Sequence, residues 1–181
     1  LKKGDKQVIF TDVDDADVYT TPLIDTVNTI NGGDGECYLN QIYIKGEIVH
    51  AVDAVGSHLT RIVLVRDKNN SDPDNDAVAW SDVFREEEIY SHRTLDVQTS
   101  EVDKRFTVAF DRIYKTEKDT DGTCNSRRFF SIMKNYKDLH CVMDGTASRG
   151  SKNGFYLMLI STCATTEIDV SYSIMVTYTA K

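Results

Sequence analysis

The 181 residues are 40% hydrophobic and 28% charged, the composition of a folded chain with one core rather than a disordered segment. With 10 Gly and 2 Pro, collagen-like and low-complexity architectures are excluded, and the longest apolar run, Phe155 to Ile160, is far short of the roughly 20 residues of a membrane helix. The formal charge of −8, averaged over the chain, repels nucleic acid and anionic membranes, so any contact with a polyanion needs a local concentration of Lys and Arg.

Strand-like segments dominate in chain order. Residues 7–10 are short and β-rich, and 17–24 carries Val18, Tyr19, Thr20 and Thr21 before Pro22, which suits a sheet edge or a strand end. Residues 31–35, Asn-Gly-Gly-Asp-Gly, are a loop. From 38 to 50, Leu39, Ile42, Ile44 and Ile48 mixed with Lys45 and Glu47 predict a long strand with a bend or bulge at Gly46. The RIVLVRD run at 61–67 predicts a strand buried on at least one face. After the Asn/Asp-rich loop 69–76, residues 77–88 are the one stretch with helical spacing. Val78, Trp80, Val83 and Phe84 cover a face, and Asp76 is the candidate N-cap.

Residues 106–114 alternate, with Phe106, Val108 and Phe110 set against Thr107, Ala109 and Asp111. A turn at 119–123 leads to 127–142, a long strand or a strand pair through Phe129, Phe130, Ile132, Met133 and Tyr136. Residues 155–162 form the most apolar strand, and 168–180 the clearest alternation, through Ile168, Val170, Tyr172, Ile174, Val176 and Tyr178. The reading is all-β, with about eight strands, one short helix in a long inter-strand connection, and a single domain over residues 1–181. That is the content of an eight-stranded jelly-roll sandwich, with another Greek-key sandwich as the alternative.

Catalytic signatures are missing. His50, His58, His92 and His140 lie in four segments without His-x-His or His-Glu-x-x-His spacing, so a jelly-roll metal site lacks its ligands. The Gly-rich loop has no following helix and no Lys-Ser/Thr pair, and there is no nucleophile elbow. No enzymatic role and no cofactor are expected. Asp72, Asp74 and Asp76 are the candidate Ca²⁺ ligands, but the Gly and the terminal Glu of an EF-hand loop are missing, and solvated turn residues are the simpler reading. Cys37, Cys124, Cys141 and Cys163 contain no Cys-x-x-Cys pair, and Cys141 and Cys163 sit in apolar stretches, which predicts reduced thiols.

Lys104-Arg105 and Arg127-Arg128 each straddle a strand start, so the two side chains of a pair point to opposite faces. They are candidates for nucleic-acid contact, competing with a role as aggregation gatekeepers. Trp80, Phe84 and Tyr90, in the long connection, either pin that loop to the sandwich or form a subunit contact.

The order of short signatures carries a resemblance. Ile42-Tyr43-Ile44-Lys45-Gly46 is followed by Val65-Arg66-Asp67, by a loop ending in Asp82-Val83-Phe84, and by Lys104-Arg105-Phe106-Thr107-Val108. Arg127-Arg128-Phe129-Phe130, then Tyr156-Leu157-Met158-Leu159-Ile160, and a tyrosine-bearing alternating strand complete the series. Over roughly residues 35–181 this series resembles the coat proteins of circular single-stranded DNA viruses, chiefly of the geminivirus and genomovirus kind. It is more loosely similar to satellite-virus coat proteins.

The resemblance implies a capsid protein that self-assembles into an icosahedral or twinned-icosahedral shell around single-stranded DNA, found in the virion and assembled in the host nucleus. It also implies a basic N-terminal arm. This sequence carries only Lys2, Lys3 and Lys6 at its start, so residues 1–16 are expected to be the remnant of an arm whose basic part lies upstream of Leu1. The phosphate contacts implied are those of the arm, joined by Lys104, Arg105, Arg127 and Arg128, with Tyr19 or Phe129 stacking on bases. The alternatives are the coat of a satellite RNA virus and, in another class, a secreted β-sandwich binding module such as a trimeric ligand or lectin. The secreted module predicts paired cysteines.

Overall fold

The computed structural model describes residues 2–3, 7–13, 19–22, 36–50, 55–68, 78, 80–85, 88–90, 105–120, 126–143, 150–163 and 168–180. Ten strands lie among them: β1 (Lys2–Lys3), β2 (Gln7–Val13), β3 (Tyr19–Pro22), β4 (Glu36–His50), β5 (Gly56–Asp67), β6 (Phe106–Lys118), β7 (Arg128–Met143), β8 (Gly150–Lys152), β9 (Gly154–Ser161) and β10 (Ile168–Ala180). They form two antiparallel sheets. In the six-stranded sheet, β1 and β2 both pair with β10, which is followed by β4, β7 and β8. The four-stranded sheet runs β3-β9-β5-β6. The described residues form an all-β sandwich.

Alternation explains the six-stranded sheet. In β10, Ile168, Val170, Tyr172, Ile174, Val176 and Tyr178 are all buried, and in β4 so are Ile42, Ile44 and Ile48. Both rows enter one core with Phe130 and Ile132 of β7 and with Ile62, Leu64, Leu157 and Leu159 of the facing sheet. Each large apolar side chain moved out of water contributes about 1.5–3 kcal/mol before the entropy of ordering it.

The four-stranded sheet has no bare face in its centre, which is why its strands read as unbroken apolar runs. All eight residues of β9 are buried. Phe155, Leu157 and Leu159 face the six-stranded sheet, while Tyr156, Met158 and Ile160 turn to a second core with Val63 and Val65 of β5. That second core is closed by the β5–β6 connection, through Val78, Trp80, Val83, Phe84 and Ile89.

Three local expectations are corrected. The amphipathic helix expected over 77–88 is a single 3₁₀ turn, Trp80–Asp82, in which the carbonyl of Trp80 accepts from the backbone N–H of both Val83 and Phe84. Asp76, its expected N-cap, lies outside the described residues. The four apolar residues are spaced as on a helix, yet all are driven into the groove over β5 and β9, and Trp80 stacks on Phe84 at 4.2 Å. Burial decides the backbone here, since one turn of helix has little stability of its own.

The alternation of β6 is broken as well. The β5–β6 register shifts between Leu64 and Val65, opposite Phe110 and Val108, so Ala109 is the extra residue. Phe106 and Val108 therefore pack on the second core, while Phe110 and Tyr114 pack on the first. One inserted residue flips the phase of everything after it.

Gly46 makes no bend. The β4–β7 register shifts between Leu39 and Gln41, and at Gly46 the ladder is regular, with Phe130 on one side and Tyr172 on the other. The ring of Phe130 lies over the glycine. A Cβ there would meet the Ser171 carbonyl oxygen and sit 2.5 Å from Phe130 Cζ. Gly46→Ala is therefore expected to force Phe130 out of its place and lower the free energy of unfolding by about 1–3 kcal/mol, read from the urea midpoint at unchanged m-value. An unchanged midpoint would show that the ring and the Ser171 backbone both move aside at no cost. Of the two forms expected for 127–142, the structure has the single long strand, β7.

Candidate nucleic-acid and subunit interface

The basic residues singled out by sequence are spread over separate places. Lys2 and Lys3 form β1, opposite Tyr178 and Thr177 of β10. Lys6, Lys104, Asp72, Asp74 and Asp76 lie outside the described residues. Among the described residues, no group of three or more His, Cys, Asp or Glu is placed to hold a metal ion.

Arg105 is tied into the fold. It stands just before β6, and its Nε and Nη2 donate to the carboxylate of Asp67 at 3.0–3.2 Å. Asp67 is wholly buried at the end of β5. The Arg105 guanidinium also lies 4.7 Å from the Phe106 ring centre. Its pKa is raised: burial alone would lower it, but the hydrogen bonds and charge of Asp67 outweigh that effect.

Arg127 and Arg128 are exposed. Arg128 Nε donates to the carbonyl of Lys115 at 2.8 Å, bridging the start of β7 to β6. Nearby, Lys115 pairs with Glu117, whose carboxyl is held below the usual range by the Lys115 hydrogen bond and charge. Arg127 lies 3.8 Å from Glu47 on the outward face of β4.

That outward face was missed in the sequence. Because Ile42, Ile44 and Ile48 point inward, Tyr43, Lys45 and Glu47 point out. Register sets Met175, Tyr43 and Met133 in one cross-strand row, Ser173, Lys45 and Ser131 in the next, and Ser171, Glu47 and Phe129 in the third. Phe129 is 74% and Met133 59% exposed. Lys45 lies 5.3 Å from the centre of the Tyr43 ring. Hydrogen bonds from Lys45 and then Ser131 hold the Tyr43 phenol below its ordinary pKa. The signal was present in 129–133, where Phe129 and Met133 break the alternation by adding apolar residues to the outward phase. Exposed aromatic, sulfur-bearing and cationic side chains on one sheet face can stack on rings and meet phosphates.

The three candidates for subunit contact divide. Trp80 and Phe84 are buried within the chain, 1% and 0% exposed, so in this structure they pin the connection and offer no surface. Arg61 locks the same connection from below. It donates from Nε and Nη2 to Asp111 at 2.8 and 2.6 Å and from Nη1 to the Ile89 carbonyl at 3.1 Å, and it lies 4.5 Å from the Phe84 ring centre. Tyr90 is 66% exposed and stays available for contact.

No known protein family matches the chain, and no curated protein does. Among solved structures it is similar to that of Desmodium yellow mottle tymovirus, with a TM-score of 0.39 and 9% identity over 98% of this chain and 91% of that one. It is also similar to the infectious bursal disease virus VP2 subviral particle, with a TM-score of 0.32 and 6% identity over 98% of this chain and 36% of that one.

Proposed function

We propose that the chain is the coat subunit of a viral shell, a jelly roll that assembles with copies of itself around a circular single-stranded DNA genome. One observation carries the reading. With the two- and three-residue strands β1 and β8 set aside, the remaining strands numbered along the chain run 1-8-3-6 in one sheet and 2-7-4-5 in the other. That order supports a jelly roll, in which successive hairpins wrap around a two-sheet core. It supports the fold that the ordered series of motifs implies.

The function follows from that resemblance. It is structural and requires no chemistry from the chain. Copies meet through loops and open strand sides in repeated contacts that close into a shell. Phosphates are neutralised by a basic arm of the kind the resembled coat proteins carry, and this reading adds Lys45, Arg127, Tyr43 and Phe129 as the surface on which a strand could lie. Binding of that kind is sequence-tolerant and falls steeply with salt. The reading puts the chain in the virion, and its assembly in the host nucleus.

Negative-stain electron microscopy of the purified full-length protein, with an absorbance ratio for nucleic acid on the same fraction, tests this. Uniform closed particles whose contents are removed by a DNA-specific nuclease are expected. A monomer or trimer free of nucleic acid across a range of pH and Ca²⁺ would overturn the reading, and particles holding RNA would overturn its genome type.

A further inference from the structure

Cys37 of β4 and Cys141 of β7 stand directly opposite one another in the β4–β7 ladder. Both are buried in the core between the sheets, and both are free thiols. Residues directly opposed across an antiparallel pair have their Cβ atoms about 4.5–5.5 Å apart. A disulfide needs roughly 3.5–4.5 Å, so only a small approach separates the two states.

Two further features favour that approach. Cys141 Sγ donates to the Leu139 carbonyl at 3.5 Å, and the Cys141 side chain beside it pulls the Cys37 thiol below its usual pKa, while Cys37 and burial push Cys141 above it. The register shift lies just beyond Leu39, where β7 carries extra residues, including Asp138 at φ 50°. The short end of the ladder that holds both cysteines therefore joins the rest of the sheet through an irregular step that can take up an adjustment. Cys163 is differently placed, with its sulfur 3.8 Å from His58 Nε2.

We propose that Cys37 and Cys141 form an oxidation site, converted by a small-molecule disulfide into an intrachain bond that fastens β4 to β7. The Cys37 thiolate attacks one sulfur of the reagent, R–S–S–R, giving Cys37–S–S–R and a thiolate RS⁻, which takes up the proton that Cys37 released. Cys141, losing its proton to the second leaving thiolate, then attacks Cys37 Sγ and displaces it. Two protein thiols and one small disulfide become one protein disulfide and two small thiols, so atoms and electrons balance. Because both sulfurs are buried, exchange in the folded chain waits on local opening of this end and is slow compared with an exposed thiol. The inference rests on strand register and stands apart from the shell reading.

The test removes the access barrier. The chain is refolded from denaturant in a mixture of reduced and oxidised glutathione, quenched with acid, unfolded, alkylated and mapped by mass spectrometry. The expected product is a soluble chain lighter by two hydrogens, with one disulfide joining the Cys37 and Cys141 peptides, formed equally in Cys163→Ser. Native chain exposed for days to hydroxyethyl disulfide is mapped the same way, so that a refolding failure still leaves a decisive measurement. A folded chain in which both thiols are alkylated after either treatment, or a bond joining another pair, overturns the proposal.

Discussion

Trp80→Ala is expected to lower the free energy of unfolding by about 3–5 kcal/mol, the range for truncating a buried large aromatic side chain. The indole is wholly enclosed, stacked on Phe84 at 4.2 Å, with the Arg61 guanidinium 5.5 Å from its ring centre. Truncation opens a cavity between the connection and the outer side of β5 and β9, and the clamp from Arg61 to Asp111 and the Ile89 carbonyl loses its lid. The Phe84 ring can tilt into part of the gap, so Trp80→Phe should recover a large share of the loss. Urea unfolding followed by far-ultraviolet circular dichroism is the measurement, because the only tryptophan is the residue removed. A loss below about 1 kcal/mol would mean that the connection is not part of the cooperative unit.

Arg105→Ala is the second change with a large expected effect, about 3 kcal/mol or more. The Asp67 carboxylate is wholly buried, and taking its guanidinium away leaves a charge in low dielectric. The cost is mainly the stranded charge and only partly the lost attraction. Replacing both partners together, Asp67→Leu with Arg105→Met, should therefore cost much less than the single Arg105→Ala. Chemical denaturation of Asp67→Leu, of Arg105→Met and of the double variant closes the cycle. If the double variant is as unstable as the sum of the singles, the pair contributes as two independent side chains and the argument fails. Since Arg105 belongs to the Lys-Arg-Phe signature, the same experiment weighs structural against genome-binding reasons for that motif. Under the proposed function, loss of stability without a change in the salt dependence of nucleic-acid retention would assign it to the fold.

The strands were legible where one physical rule acts alone. β10 has one face in the core, so its period of two is visible in the residues, and β9, covered on both faces, reads as an apolar run. What was hidden depends on partners distant in sequence. Nothing local in 106–114 marks Ala109 as an extra residue, because the shift is set by how β6 must meet both cores at once. Gly46 looked like a breaker, since its reason for being glycine is the Phe130 ring of another strand. Helical spacing in 77–88 was real, but it reported apolar residues that dock on a sheet.

The candidate site was less legible. Arg105 and Arg127 look alike in sequence, each flanking an apolar strand, and only the fold separates them: one neutralises a buried carboxylate, the other stands in solvent beside Glu47. Phe129 was named as a stacking residue, and Met133 shares its outward phase on β7, but Tyr43 joins them only once β4 and β7 are set in register.

The position of β10 has a kinetic consequence. It is the strand onto which β2 pairs on one side and β4 on the other, although it lies at the opposite end of the described chain from both. During synthesis, β2 and β4 leave the ribosome long before the segment that joins them. The sheet is therefore missing its middle until β10, the last of the described strands, has emerged. So large a share of long-range pairing places folding in the slow range, milliseconds to seconds, and leaves strand edges open to neighbouring copies in the meantime. A chain translated on crowded polysomes meets its greatest hazard of mispairing before β10 has emerged.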